Sequence, residues 1–292
     1  MLRNPTSQAA LWMLASVGCF SAVAVASREL SASLDTFEIM FFRSLVGWPL
    51  IFALVVATGK LHRLRTRRMP LHIFRNIIHF SGQNLWIYAV SVAPLAQVFA
   101  LEFTMPVWAM LLSFLFLGEK LTPMRGVVTA AGLLGVLIIT RPWALGIGPG
   151  IVEAATSAFI FGLVAVITRS LARTDSALTV VFWLISWQVI MGLVSSAWDG
   201  TITLPSAEQM PWVLLVGVTG LLAHGFLTMA LSLAPAAVIT PIDFSRLPLI
   251  SVVALILYAE PIDPAVWIGA GIIFVANYVN ILRETRATAE TA

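Results

Sequence analysis

Two stretches decide how this chain folds: SVAPLAQVFALEFTMP, residues 91 to 106, and SLAPAAVITPIDFSRL, residues 232 to 247. They lie 141 positions apart, and in that register Ser91, Ala93, Pro94 and Phe103 fall on Ser232, Ala234, Pro235 and Phe244, while Glu102 falls on Asp243. Extended outward, the shift lays Ser16, Phe20, Ala24, Arg28 and Leu30 on Ser157, Phe161, Ala165, Arg169 and Leu171. It also sets Glu119 and Pro123 on Glu260 and Pro264. Apolar coincidences are cheap in so hydrophobic a sequence, so the matches of polar residues, Pro and Arg carry the weight. The chain reads as two copies of one unit.

Composition says what the unit is. Of the 292 residues 59% are apolar and 11% charged, against about 25% charged in a soluble globular protein, and mean hydropathy is +0.95. Apolar runs bounded by Pro, Gly or charge occupy about 8–27, 36–58, 70–92, 95–117, 124–140, 149–170, 177–198, 209–233, 236–258 and 263–282. Each is near the length of about 20 residues that a helix needs to cross a bilayer. They are too long and too uniformly apolar for barrel strands, so the spans are helices that satisfy their own backbone. Five spans per copy is an odd number, so the second copy enters the membrane from the opposite side. The expected fold is therefore all-α and integral to the membrane: ten transmembrane helices in two inverted-topology five-helix repeats around a central cavity. The units are 8–141 and 149–283, followed by a short cytoplasmic tail, 284–292. The first run, ending at Ala24-Val25-Ala26, imitates a secretory signal, but its repeat partner at 149–170 argues that it is a retained span.

Charge orients the bundle. With both termini cytoplasmic, thirteen Lys and Arg lie inside, including Lys60, Arg63, Arg65, Arg67, Arg68 and Arg75, and only Arg28 and Arg141 outside, as the positive-inside rule requires. The sequence pI of about 9.5 is thus a topological signature that touches anionic lipid, and no nucleic acid partner is expected. The single cysteine, Cys19, excludes an intramolecular disulfide. The four histidines, at 62, 72, 79 and 224, form no metal-ligand or hydrolytic motif, so no cofactor, no metal and no enzyme activity are expected. A channel and a membrane sensor are the weaker alternatives to a carrier.

Polar residues inside the spans are the candidate machinery, because lipid penalises them. On span 3, Asn76, His79, Gln83 and Trp86 recur at spacings of three and four and share one helical face. The face is expected to line a cavity, with Gln83 and His79 bonding a polar ligand and Trp86 offering an aromatic plane; interhelical glue is the competing role. The shift sets Gly217, Gly220, His224 and Leu227 of span 8 against that row. Trp12, Ser16 and Phe20 form a row on span 1, matched by Glu153, Ser157 and Phe161 on span 6. A Ser beside aromatics suits a ligand with polar and flat apolar parts. Glu102 and Asp243 lie deep in spans, where an ionised group costs about 2.5 to 3.5 kcal/mol on insertion scales. Asp243 is expected to pair with Arg246, three residues on. Glu102 has Met105 at the equivalent place, so it either pairs with Arg43 or Arg246 or meets a substrate ammonium or a proton. Arg43 itself reads as a snorkelling or paired structural residue before it reads as a carboxylate ligand. Glu119 and Glu260 end spans and are expected to cap turns or form salt bridges. Pro106, Pro241 and Pro248 are expected to kink spans 4 and 9, and Pro94 and Pro235 to turn hairpins that border the two entrances.

The five-plus-five repeat, the Leu117-Gly118-Glu119-Lys120-Leu121-Thr122 segment, its echo Tyr258-Ala259-Glu260-Pro261-Ile262-Asp263, and Arg43 within Phe41-Phe42-Arg43 resemble the EamA type of the drug/metabolite transporter superfamily. The resemblance covers about 8–283. It implies a basket in which spans 1, 3, 4, 6, 8 and 9 surround the cavity while 5 and 10 stay peripheral. It also implies a multi-pass protein of the bacterial inner membrane that exports amino acids, aromatic ones included, by alternating access. Another metabolite or drug, nucleoside-like, vitamin or cationic, is the alternative substrate. Ala259 departs from the Gly-Glu pattern and puts the tightness of that turn in question.

Overall fold

The computed structural model describes residues 5–117, 123–145, 147–198, 200–234 and 236–290. The first three spans are α1 (Pro5–Leu30), α2 (Thr36–Ala57) and α3 (Met69–Val92), with one 3-10 turn at Leu61–Leu64. Span 4 comprises α4 (Leu95–Glu102) and α5 (Met105–Leu117), and span 5 is α6 (Pro123–Thr140). A short turn, α7 (Pro142–Leu145), leads to α8 (Ile151–Leu171), α9 (Ala177–Ser196) and α10 (Met210–Leu233). Span 9 divides into α11 (Ala236–Asp243) and α12 (Arg246–Tyr258), and α13 (Pro264–Glu290) is span 10. No strand occurs among the described residues.

Local sequence sets these ends. Asp35 accepts the Glu38 N–H at 2.8 Å while the Glu38 carboxylate accepts the Asp35 N–H at 3.0 Å, a reciprocal cap that starts α2. Ser176 opens α9 by accepting the Thr179 N–H. Where a tail is expected at 284–292, α13 instead continues to Glu290, because Arg-Glu-Thr-Arg-Ala-Thr-Ala-Glu contains no helix breaker. Ala259, φ 53°, takes the left-handed position that ends α12, a conformation that Gly adopts more cheaply.

Nine described segments have the length and hydropathy of membrane spans. The remaining one, α3, at 24 residues is about 36 Å long, enough to cross. Its hydropathy is lowered by His72, Arg75, Asn76, His79, Gln83 and Asn84, all buried. The least lipid-like helix is therefore turned inward by its own polar content.

Packing follows a two-fold relation. Helix α1 lies along α10 and α8 along α3; α2 packs on α9, and α6 on α13. Exchanging each helix with its repeat counterpart returns these four pairs, and it sets α5 on α8 against α12 on α1. Five crossings reverse the chain's sense, so the two units are inverted relative to each other. In lipid the helices gain little from hydrophobicity and associate by close packing. At the α6–α13 crossing a Cβ on Gly135 would lie 2.7 Å from the Gly269 carbonyl oxygen, and one on Gly269 2.6 Å from that of Gly135. Only glycine lets these two backbones touch.

Candidate substrate site at mid-depth

Both broken spans part at equivalent residues. Span 4 breaks at Phe103–Thr104 and span 9 at Phe244–Ser245. Pro106 has no N–H to return to the Glu102 carbonyl, and Pro248 none for that of Phe244. Nearby hydroxyls take up other carbonyls at each break: Thr104 donates to Leu101 at 2.7 Å and Ser245 to Ile242 at 2.6 Å. Asn277 of α13 donates to the Phe103 carbonyl at 3.1 Å, and the Phe103 and Phe244 rings meet at 5.0 Å. Pro106 thus opens α5, while Pro241 lies inside α11.

The breaks place Glu102 and Asp243 together around Arg246. Arg246 donates to Glu102 at 3.0 Å and to both oxygens of Asp243 at 2.9 and 3.0 Å. The other Glu102 oxygen accepts the indole N–H of Trp86 at 2.9 Å. The guanidinium is enclosed by the rings of Phe20, Phe99 and Phe103, 4.9 to 5.7 Å from their centroids, a cation–π cage. Arg246 keeps 9% of its side-chain exposure, but Glu102 keeps 20% and Asp243 26%. Two carboxylates against one guanidinium leave the cluster one negative charge in excess, presented on the more open side.

A second polar group adjoins it. Gln188 of α9 donates from one amide nitrogen to His79 Nδ1 at 3.2 Å and to the Gln83 carbonyl oxygen. His79 therefore accepts at Nδ1. The His79 ring faces Phe161 at 5.7 Å. His224 meets the edge of Phe20 at 5.3 Å, so Phe20 stands between His224 and Arg246. Arg43 lies beside Gly220, where a Cβ would come within 2.6 Å of its Nε.

The other candidates are occupied differently. Ser16 donates across to the Ala223 carbonyl at 2.9 Å, joining α1 to α10. Ser157 donates to the Ala154 carbonyl of its own helix at 2.8 Å. Trp12 packs on Phe226 at 5.3 Å, beside Met13, Val17 and Ala230, away from the ion cluster. Of the cage, only Phe20 stands out in the sequence, in the row Trp12, Ser16 and Phe20; Gln188 and the cage roles of Phe99 and Phe103 do not. Gln188 was detectable only as a polar residue in mid-span, since its repeat counterpart is Gly47.

Both ends of the bundle are tied between the repeats. At one end Arg28 donates to the Val90 carbonyl at 2.6 Å, to the Ala93 carbonyl and to Glu260. The second Glu260 oxygen accepts the Leu95 N–H at 2.9 Å, just after Pro94. The Tyr258 hydroxyl donates to Glu29 at 2.8 Å. At the opposite end His72 Nε2 meets Asp175 at 2.7 Å, and Thr66 donates to the same oxygen at 2.7 Å. Burial opposes ionisation of Asp175, yet the hydrogen bonds from His72 and Thr66 prevail and hold its carboxyl below the ordinary value. Arg68 donates to the Ser170 carbonyl at 2.7 Å, and Trp183 to that of Leu64 at 2.9 Å. Glu119 and Pro235 lie outside the described residues.

A duplicated, inverted helical unit with ionisable groups gathered at the breaks of two spans defines a membrane carrier. The EamA-like transporter family model matches residues 7–141 and again 148–282. The chain belongs to that family. Relatives include an S-adenosylmethionine uptake transporter of Rickettsia felis, 27% identical over 94% of this chain and 93% of the relative. A riboflavin transporter of Rhizobium johnstonii is 30% identical over 95% of this chain and 92% of the relative, and one of Vibrio cholerae is 28% identical over 93% and 92%. A solved crystal structure shares the fold at a TM-score of 0.65 and 20% identity, covering 96% of this chain and 99% of that one.

Proposed function

We propose that this transporter moves a small metabolite with a flat heteroaromatic part and polar or charged groups across a bacterial inner membrane by alternating access, with both termini in the cytoplasm. The observation that carries the reading is the Glu102–Arg246–Asp243 cluster at the breaks of spans 4 and 9. An excess carboxylate at mid-depth needs a cation, a proton or water, and the Trp86, Phe20 and Phe103 rings around it supply apolar walls for a planar group. Inner and outer ties of different chemistry, His72–Asp175 and Arg28–Glu260, are the natural gates. The relatives' names favour a nucleoside-like or vitamin-like cargo over the amino acids expected from the sequence.

The test is counterflow in proteoliposomes with S-adenosylmethionine, riboflavin, aromatic amino acids, nucleosides and cationic drugs. Saturable exchange of one class is expected, with no steady conductance. A conductance that does not saturate would replace the carrier with a channel. Exchange confined to aromatic amino acids would reinstate the exporter reading.

A further inference from the structure

Between α2, α9 and α10 lies a hollow of about 20 Å³, bordered by Arg43, Ser44, Gln188, Gly217, Gly220 and His224. That is room for one water-sized group, too little for a metabolite but enough for its tip. Three of its polar side chains, Arg43, Ser44 and His224, make no hydrogen bond to a protein nitrogen or oxygen. The Arg43 guanidinium makes only a 3.8 Å contact with the Met40 sulfur, and no carboxylate among the described residues pairs with it. The Ser44 hydroxyl is buried and bonds nothing, although a helical Ser ordinarily returns to the carbonyl four residues back, as Ser186 and Ser251 do. Gln188 is already committed to His79 and Gln83. The side-chain donors left open are Arg43, Ser44 and the ring N–H of His224, of which Arg43 carries the charge.

The surroundings are shaped for the guanidinium. Gly220 stands where the repeat shift places His79, and any side chain there would collide with Arg43. A cation buried without a counter-ion is costly at mid-depth, so a helix hollowed to hold one implies an anion that comes and goes. Lys would not serve equally, because the planar fork of Arg matches a carboxylate with two parallel bonds.

We propose that Arg43 and Ser44 form a seat for the carboxylate of the transported metabolite. The proposal deepens the transport reading above and rests on it. On the far side of Phe20 lies the Glu102–Arg246–Asp243 cluster with its excess negative charge. A ligand with a carboxylate at one end and a cationic centre toward the other neutralises both at once. The favoured class is therefore zwitterionic, nearer to S-adenosylmethionine than to riboflavin, which has no anionic group.

Binding to the purified full chain, read by tryptophan fluorescence and thermal unfolding, tests the seat with matched pairs: S-adenosylmethionine with its decarboxylated analogue, and L-tryptophan with tryptamine. Chloride against gluconate tests for a purely inorganic anion. The wild type should bind at least one acid tenfold or more tightly than its decarboxylated partner. Arg43→Gln should reduce that ratio to near one by weakening the acid alone, with Arg43→Lys intermediate. Gly220→Ala, which displaces the guanidinium without removing charge, should lower the ratio as well. A wild type indifferent to the carboxylate, a preference that survives Arg43→Gln, or a stabilisation seen with chloride and no organic acid each overturns the seat. Counterflow is measured in parallel. Flux of neutral or decarboxylated compounds without acid preference sinks the seat and spares the transport reading; acid preference without any flux does the reverse.

Discussion

Replacing Arg246 with Met removes the one cation that holds Glu102 and Asp243, and the cost can be worked from its contacts. Three charge-assisted hydrogen bonds of 2.9 to 3.0 Å disappear. Deleting one partner of a buried ion pair costs about 3 to 5 kcal/mol, because the remaining charge stays desolvated. Here Glu102 and Asp243 retain 20% and 26% of their side-chain exposure, so water relieves part of the penalty. Methionine also refills the space among Phe20, Phe99 and Phe103 with a thioether that aromatic rings accept. The net loss is then about 2 to 4 kcal/mol. Unfolding in detergent micelles, followed by circular dichroism against denaturant, measures it. The decisive comparison is the triple variant Arg246→Met, Glu102→Gln, Asp243→Asn. Uncharged, it should recover most of the loss, since exchanging a whole buried ionic cluster for neutral groups is far cheaper than breaking it. An Arg246→Met protein as stable as wild type, or a triple variant no better than the single, would refute the argument.

Three further outcomes follow from the same geometry. Glu102→Gln keeps the Asp243–Arg246 pair and should cost less than about 2 kcal/mol in stability, yet lower counterflow of cationic substrates tenfold or more; wild-type rate, affinity and pH dependence would dismiss its role. Ala259→Gly should stabilise the protein by about 0.5 to 1 kcal/mol, because the left-handed position strains any Cβ; the unfolding assay reads this directly, and no gain would count against the strain. Asp175→Asn should loosen the inner closure, seen as faster maleimide labelling of a cysteine placed at Leu64 in a Cys19→Ser background. Because the folded Asp175 carboxyl is held below its ordinary value of about 4, the tie to His72 is present above that pH and lost as pH falls through the lowered value. Labelling of the Asp175 protein should rise over that acidic window; the Asn variant should show no such rise.

The architecture was legible because lipid imposes it: spans must be apolar and helical, and a shift of 141 positions exposes the duplication. Helix α3 shows where hydropathy alone falls short. Six buried polar residues lower its score, yet their spacing marks the face it turns inward. The site was only half legible. Glu102 and Asp243 stood out because their cost in lipid is large, and Arg246 followed from its position three residues on. Phe20 was visible in its row with Ser16, but Phe99 and Phe103 were not, since an aromatic facing a cation and one facing lipid look alike in sequence. Sequence could not show where the Ser16 and Ser157 hydroxyls donate, which is to the Ala223 carbonyl across the helix pair and to the Ala154 carbonyl of the same helix.

What distinguishes the two halves chemically is an exchange of bulk across the two-fold. Where α3 carries His79 and Gln83, α10 carries Gly220 and His224; where α2 carries Arg43, α9 carries Leu184; and Gln188 faces Gly47 in the alignment. Apart from Gln83, which is matched by His224, each of these polar residues is matched by a smaller or apolar one, so the scaffold keeps its symmetry while the polar lining does not. Two inverted units of similar backbone can exchange conformations at small energetic difference. In the proposed cycle the cargo would meet the same Arg43 and Glu102 from either side. The two ends differ in chemistry as well: a His–Asp tie holds one and an Arg–Glu tie the other.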